Sequence, residues 1–219
     1  MKKILVAVLV IALAMIGATA AFAGISTTKH NLSTTGSGAT LATVETEICI
    51  FCHTPHGGGT MAPLWNKADQ AQTYGAYGTT KGGTVIGALP NTTVSYACMA
   101  CHDGVSAMGA VLNTSAAGIA AGTIVLNNTT MSGLSGDLTV NMNNDHPVGF
   151  TYDATKASLG VLSGSGGNVV RVTAVAGSPS GLAGAKMECS SCHEPHAAAT
   201  NFLRVVNTGS ALCLGCHNK

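Results

Sequence analysis

Cysteine and histidine residues recur together in one short pattern at four places in the chain. Each copy has two cysteines separated by two residues, and a histidine follows the second cysteine directly. The copies are the first motif (49–53), the second (98–102), the third (189–193) and the fourth (213–217), and they use all eight cysteines of the 219-residue sequence. Two thiols and an imidazole at this spacing are the groups that attach haem covalently. The thiols add to the two vinyl groups, and the histidine is placed under the iron as its proximal ligand.

The repeated spacing therefore predicts four covalent haem c groups. The predicted attachment residues are Cys49, Cys52, Cys98, Cys101, Cys189, Cys192, Cys213 and Cys216. The predicted proximal iron ligands are His53, His102, His193 and His217. A lone pair of cysteines two residues apart is also typical of a zinc half-site or a redox dithiol, and an even cysteine count is typical of a disulfide framework in exported proteins. None of these alternatives requires a histidine after all four pairs.

The remaining histidines match the remaining iron positions in number. The chain has eight histidines, and the four outside the motifs are His30, His56, His146 and His196. Four haems with one proximal histidine each leave four vacant axial positions, so we predict that these four are the distal ligands. A single spare histidine would more simply be a surface or hydrogen-bonded residue. Here the count and the shared CxxCHxPH strings that end at His56 and His196 favour ligation.

His56 lies too close in sequence to His53 to serve the same iron easily. Three residues span only about 10 Å when fully extended, and the chain would have to pass round the edge of the macrocycle. Pro55 also stiffens the backbone between them. We therefore expect His56 to ligate a neighbouring haem, so that the string 49–56 joins two cofactors.

The ligands divide the chain into two similar units, about residues 24–137 and 138–219. Each unit has one isolated histidine, one CxxCHxPH string and one plain CxxCH motif, in that order. The simplest pairing follows the order of the chain. It assigns His30 to the haem of the first motif, His56 to the second, His146 to the third and His196 to the fourth.

The first 23 residues have the features of a secretory signal peptide. Lys2 and Lys3 precede an apolar run from residue 4 to 16, and Ala21-Phe22-Ala23 provides small residues for cleavage. Cleavage after Ala23 would leave residues 24–219 as a single tetrahaem domain; cleavage after Ala20, or an uncleaved membrane anchor, is the alternative. We expect an exported protein, extracellular or at the cell surface or else periplasmic, with no stable membrane span after cleavage.

The composition predicts a mostly irregular fold with short helices and a few short strands, wrapped around a chain of four haems. Only 4% of the residues are aromatic and 28 are glycine, so the porphyrins would supply much of the apolar bulk. Alternation in 138–142 and 148–152 predicts two short strands around a turn that presents His146, and a short helical turn is expected at each motif.

The sequence has no basic patch for nucleic acid. A charged content of 9% is low for a soluble monomer and favours burial against copies of itself.

Three segments resemble a known family. His30 in TKHNLS before CIFCHTPH, the NDHPVGF segment, and the terminal CSSCHEPH and ALCLGCH strings are similar to the paired-CxxCH multihaem cytochromes, and within them to the extracellular OmcE-type tetrahaem cytochromes of metal-reducing bacteria. The resemblance implies closely stacked bis-histidine haems, and subunits that polymerise into conductive filaments. It also implies three kinds of partner: further copies of the chain, other multihaem cytochromes and external electron acceptors.

These features leave three classes of function. The first is an extracellular filament subunit that conducts electrons, and the second is a monomeric periplasmic or surface-attached electron shuttle. The third, a multihaem redox enzyme, needs an open iron position, and eight histidines for eight axial positions leave none. If Met61, Met131 or Met142 displaced a histidine at one iron, the potential of that haem would rise; packing is the simpler role for these residues.

His30 lies near the expected mature N-terminus, in a small and polar segment. Such an end is mobile unless something fixes it, and an iron–imidazole bond would do so. A ligand donated to the next subunit would make a head-to-tail contact that propagates into a filament. We therefore predict that His30 ligates a haem of the adjacent subunit, with ligation of the first haem in its own chain as the alternative.

Overall fold

The computed structural model describes residues 23–62, 64–68, 70–80, 83, 85–115, 122–153 and 186–217. The predicted signal segment, apart from Ala23, and the long glycine-rich stretch after Asp153 lie outside these residues. Within the part that is described, no helix has the length and apolar character needed to cross a membrane.

Regular structure is short and scattered, as the composition predicts. The helices are α1 (Ala23–Ser26), α2 (Val94–His102), α3 (Cys189–Cys192) and α4 (Ala211–Leu214), and 3-10 turns occupy Cys49–Phe51, Thr200–Phe202 and Thr208–Ser210. The strands are β1 (Gly78–Thr79), β2 (Val85–Ile86), β3 (Phe150–Thr151) and β4 (Lys186–Met187). They form two antiparallel pairs, β1 with β2 and β3 with β4. The prediction of a mostly irregular fold is confirmed for the described residues.

Each CxxCH motif lies in a helical turn, as expected. The longest helix, α2, contains the whole second motif. It begins after Thr93, whose backbone is extended, and it ends where Gly104 takes a positive φ of 74°. A residue in the left-handed conformation commonly closes a helix after its last turn. Glycine is favoured at this position because it has no Cβ that would clash there. The other three motifs have a single turn each.

The predicted hairpin around His146 is wrong in its pairing. Residues 150–151 do form a strand, but their partner is β4 at 186–187, and the backbone of Gly149 donates to the Met187 carbonyl at 2.7 Å. Residues 138–142 form no strand: Thr139 has a φ of 58°, and Leu138 bonds to the carbonyl of His102 at 2.8 Å instead. The alternation of apolar and polar residues in 138–142 did not indicate a strand, because the backbone of this segment bonds to parts of the chain that are distant in sequence.

Three small apolar clusters hold the motifs in place. The first contains Ala42, Phe51, Met108, Val111, Ile124 and Leu126, with Cys52 and Cys101 packed against it. The second surrounds α2 and contains Tyr74, Leu89, Tyr96, Met99 and Met142. The third contains Tyr152, Met187 and Cys216. Each cluster includes or contacts at least one residue of a motif. The same packing that buries apolar surface therefore also positions the attachment sites.

Candidate haem-binding site

The four motifs share one local geometry. In the first, third and fourth motifs, the histidine backbone N–H donates to the carbonyl of the first cysteine, at 2.8, 3.0 and 2.9 Å. The second motif lies inside α2, where the same four-residue spacing forms one helical turn. Residues four apart lie on one side of a helix. The turn therefore directs the histidine to the same side as the first thiol, the arrangement that attachment and ligation of one haem require.

The two CxxCHxPH strings also share a backbone environment. Thr54 donates to the Leu64 carbonyl at 2.8 Å and Asn66 to the Cys52 carbonyl at 2.8 Å. The corresponding bonds in the second half join Glu194 to Phe202 at 2.7 Å and Arg204 to Cys192 at 2.8 Å. A returning segment therefore pairs with the CxxCH histidine in both halves, at His53↔Trp65 and His193↔Leu203.

Leu64 and Phe202 occupy equivalent positions in these returning segments and share an unusual backbone. Both have a φ of 58°. A large side chain rarely adopts a positive φ, because its Cβ crowds the following carbonyl. In both cases the carbonyl of the strained residue receives the hydrogen bond that closes the loop around the motif. The strain is therefore a local cost of holding the CxxCH histidine in place.

Three pairs of imidazole rings meet at nearly the same distance. The centroids of His30 and His102 are 6.1 Å apart, those of His53 and His196 are 6.1 Å apart, and those of His146 and His217 are 6.3 Å apart. Each pair joins one CxxCH histidine with one spare histidine. Among the described residues, no three cysteine, histidine or acidic side chains converge on a site for a single metal ion; the histidines meet in twos.

The observed separations fit two axial ligands on one iron. With a metal–nitrogen bond of about 2 Å and a ring nitrogen about 1 Å from its ring centre, two opposed imidazoles have centroids about 6 Å apart. The planes of such ligands are free to rotate about the metal–nitrogen axis. Interplanar angles of 18° for His53 and His196 and of 65° and 70° for the other two pairs are therefore all compatible with this arrangement.

Hydrogen bonds donated by Nδ1 orient the rings of five histidines. The acceptors are the carbonyl of Pro195 for His30 (3.3 Å), Gly136 for His102 (2.8 Å), Pro147 for His146 (3.0 Å) and Asn201 for His193 (2.9 Å), and the Glu194 carboxylate for His196 (3.1 Å). A carbonyl oxygen only accepts, so Nδ1 carries the proton in these rings. Nε2 is then the nitrogen left to ligate a metal, which is the usual division of roles in metal-binding histidines.

Neutral imidazoles are also favoured at two of the pairs. Burial lowers the pKa of His30, and the nearby His102 lowers it further. Burial likewise lowers the pKa of His53, with His196 acting in the same direction. Iron binds the unprotonated nitrogen, so a lowered pKa keeps these rings in the state that ligates.

The ring contacts do not follow the simplest pairing along the chain. His30 lies beside His102 of the second motif, not beside His53 of the first. His196 lies beside His53, and His146 beside His217 of the fourth motif. The order of residues could not indicate this arrangement, because each contact joins segments brought together only by the folded chain.

His56 and His193 are the two histidines outside these ring pairs. Both side chains are exposed, and no ring contact to another aromatic side chain is formed by either within the described part of the chain. The His56 carbonyl accepts from the Thr54 hydroxyl at 2.9 Å and from the Asn113 amide at 3.0 Å. The backbone at His56 is therefore fixed, and its side chain points outward.

All eight cysteines are free thiols in the structure. Burial raises the pKa of Cys52 to about 12 and that of Cys216 to about 11. A hydrogen bond between the thiols of Cys98 and Cys189 raises the pKa of Cys98 and lowers that of Cys189. The second and third motifs therefore touch through their first cysteines. The high pKa values keep Cys52 and Cys216 as neutral thiols at neutral pH.

Several residues around the site carried no signal in the sequence. The Phe202 ring stacks on His30, with centroids 4.2 Å apart and 15° between planes. Trp65 lies edge-on to His53 at 6.1 Å, and its indole Nε1–H is buried with no hydrogen-bond acceptor. An unpaired buried donor beside a ligand histidine fits a group with acceptor oxygens, which the propionates of a haem have. Trp65 is the single tryptophan of the chain, but nothing in the residues around it marks it as part of the site.

The three methionines considered as alternative ligands lie in or against the apolar clusters. Met142 is buried in the second cluster, and Met61 packs against it; Met131 packs against the first cluster. These contacts are those of packing residues.

A comparison with known families matches the part of the chain that contains the third and fourth motifs. Residues 183–219 match the family described as the doubled CXXCH motif, and this stretch contains both motifs of the second unit. A comparison with curated proteins gave no match. The family match supports a multihaem c-type cytochrome that binds haem covalently and takes part in electron transfer.

Proposed function

We propose that the chain is a tetrahaem cytochrome in which four covalent bis-histidine haems transfer electrons, and that it is the subunit of an extracellular conducting filament. The observation that carries the first part is the set of three ring pairs at 6.1–6.3 Å. Each pair combines a CxxCH histidine with a histidine from elsewhere in the chain. Each such pair would supply the proximal and the distal ligand of one haem.

The residues of the chain divide the work of holding each cofactor. The two cysteines of a motif attach it, the helical turn places the proximal histidine, and Nδ1 hydrogen bonds fix the orientation of the ligand rings. When bound in this way, haem supplies an iron that accepts and releases one electron. The eight histidines would fill both ligand positions of four haems and would leave no iron open to a substrate, so we propose a carrier and not an enzyme.

The ring contacts support a specific assignment of ligands. His196 serves the haem of the first motif, His30 that of the second and His146 that of the fourth. The haem of the third motif, whose proximal ligand is His193, then takes His56, the remaining histidine. This assignment replaces the pairing by sequence order, and it places His30 within its own chain.

The filament is supported by the surface composition and by the resemblance to extracellular tetrahaem cytochromes. Only 9% of the residues are charged. Val44, Val85, Val125 and Val206 are more than half exposed, which is apolar surface that self-association would cover. The partners we propose are further copies of the chain, other multihaem cytochromes and external electron acceptors. A monomeric periplasmic or surface-attached shuttle is the alternative.

Two measurements on protein matured in an exporting host test the two parts separately. Intact mass should show four covalent haems, and optical and electron paramagnetic resonance spectra should show low-spin iron throughout. Fewer haems, or rapid carbon monoxide binding by the reduced protein, would overturn the tetrahaem assignment. Negative-stain electron microscopy of the secreted material should show filaments. Discrete particles carrying four low-spin haems would reject the filament and favour the shuttle.

A further inference from the structure

Lys67 is a buried cation without a carboxylate partner in the described part of the chain. Its side chain is only 3% exposed. The ammonium donates to the carbonyl of Met108 at 2.5 Å and to the carbonyl of Ala110 at 3.1 Å. Burying a charge is costly, and two carbonyl acceptors satisfy its hydrogen bonds without neutralising it.

This cation lies between the first and second motifs. The neighbouring residue, Asn66, donates its backbone N–H to the carbonyl of Cys52 at 2.8 Å. Met108, which accepts from the ammonium, belongs to the apolar cluster against which Cys52 and Cys101 pack. The ammonium therefore lies next to the apolar cluster against which the second cysteine of each of these two motifs packs.

Glu188 is a buried carboxylate between the second and third motifs. It is 2% exposed and directly precedes Cys189. Its Oε2 accepts from the Ser95 backbone N–H at 3.1 Å and from the Ser95 hydroxyl, and Ser95 lies three residues before Cys98 on α2. The Ser95 hydroxyl oxygen accepts in turn from the Cys189 backbone N–H at 2.8 Å. Among the described residues, no cation lies within ion-pair distance of this carboxylate.

The two charges act on electron affinity in opposite directions. A fixed positive charge stabilises a neighbouring centre that has gained an electron, and a fixed negative charge destabilises it. The effect is strong inside a protein because the effective dielectric constant is low, and charge and burial are among the means by which proteins tune haem potentials. Lys67 adjoins the first and second motifs and Glu188 the second and third, so their effects differ most between the first motif and the third.

We propose that buried Lys67 and Glu188 together spread the haem potentials, raising the potential at the first motif and lowering it at the third. The inference rests on the proposed tetrahaem function and adds to it the order in which the haems accept electrons. At equilibrium, electrons supplied by a chemical reductant would then occupy the haem of the first motif before that of the third. One chain would thereby have an electron-rich and an electron-poor side.

The test is a spectroelectrochemical titration of the four-haem protein and its variants. Lys67→Met removes the cation and keeps the length of the side chain, and it should shift the high-potential part of the titration to lower potential. Glu188→Gln keeps an acceptor for Ser95 and should shift the low-potential part upward. The double variant should titrate over a narrower range than the parent. Lys29→Met and Glu47→Gln are matched controls, because both side chains are exposed and solvent screens them.

Each outcome decides the inference. Shifts in the opposite sense, or no larger than those of the exposed controls, would overturn it. If Lys67→Met does not bind four haems, Lys67→Gln decides in its place, since its amide retains a donor for the two carbonyls without a charge. Failure of the proposed function is distinguishable, because the parent itself would then lack four haems by mass or show no reversible titration.

Discussion

The imidazole rings of His53 and His196 lie with their centroids 6.1 Å apart and 18° between their planes. One belongs to the first CxxCH motif, and the other ends the CxxCHxPH string of the third. The proximal and the distal ligand that we propose for the first haem therefore come from opposite halves of the chain. Local contacts position both rings: the returning segment pairs with the backbone of His53, and Nδ1 of His196 donates to the Glu194 carboxylate at 3.1 Å. A site assembled in this way is complete only when both halves have folded around it.

The first prediction concerns this pair. His196→Ala should leave four covalent haems and convert one of them to a high-spin, five-coordinate form that binds carbon monoxide when reduced. Loss of a distal ligand does not affect attachment, because the thioether bonds belong to the cysteines. Intact mass gives the haem number, and electron paramagnetic resonance gives the high-spin fraction.

A second variant identifies the haem concerned. In a protein that lacks the first haem through Cys49→Ala and Cys52→Ala, His196→Ala should create no further high-spin site, because its iron is already absent. His146→Ala in the same background is the matched control and should still create one. A new high-spin haem from His196→Ala in this background would assign His196 to another motif.

The second prediction concerns the strained backbone of Leu64. Its side chain is 56% exposed and its φ is 58°, so Leu64→Gly removes little buried surface and relieves about 1–2 kcal/mol of left-handed strain. Glycine costs about 0.5–1 kcal/mol of additional chain entropy, so the variant should be as stable as the parent or slightly more stable. Chemical unfolding followed by circular dichroism measures the difference.

Val44→Gly is the control for this experiment. Val44 has a similar exposure of 63% but no positive φ, so glycine should destabilise the protein by about 0.5–1 kcal/mol. Equal destabilisation by the two substitutions would show that the backbone at Leu64 is not strained.

The sequence predicted the features that depend on neighbouring residues. The CxxCH spacing places a histidine four residues after a cysteine, and each such histidine lies in the expected helical turn. The identities of the attachment residues follow from the same spacing and remain predictions. Low aromatic content and abundant glycine also indicated the short, scattered elements that the structure has.

Contacts between segments that are distant in the sequence could not be predicted from the sequence. The strand at 150–151 was expected to pair with 138–142, and only the fold reveals its partner at 186–187. The ring contacts between motifs could not be predicted for the same reason, because no residue near His30 or His196 in the sequence indicates which ring each one contacts. Glu188 and Ser95 likewise carry no pattern that would pair them across 93 residues.

The third prediction concerns that link between the second and third motifs. Ser95→Ala removes the hydroxyl that donates to the buried Glu188 carboxylate and accepts from the Cys189 N–H. The carboxylate keeps the Ser95 backbone N–H, but it loses a hydrogen bond to a charged group, which is worth about 1.5–3 kcal/mol, and the Cys189 N–H loses its acceptor. The unfolding free energy of the four-haem protein should fall by at least this amount, whereas Ser132→Ala at an exposed position should change it by less than about 0.5 kcal/mol. An unfolding free energy within the range of the control would mean that Ser95 is not needed to hold Glu188.

The last prediction concerns His30 and decides between ligation within the chain and ligation of a neighbouring subunit. The His30 ring lies 6.1 Å from that of His102, is stacked on Phe202 at 4.2 Å, and bonds through Nδ1 to the Pro195 carbonyl at 3.3 Å. These contacts hold the ring from three sides within one chain, so His30→Ala should produce one high-spin haem, at the second motif, in monomers and in any filament alike. The parent provides the complementary measurement: its spectrum should remain low-spin when it is diluted or dissociated into monomers, because an in-chain ligand does not depend on concentration. A high-spin haem that appears in the parent on dissociation, and that His30→Ala already shows in the assembled state, would instead assign His30 to the adjacent subunit.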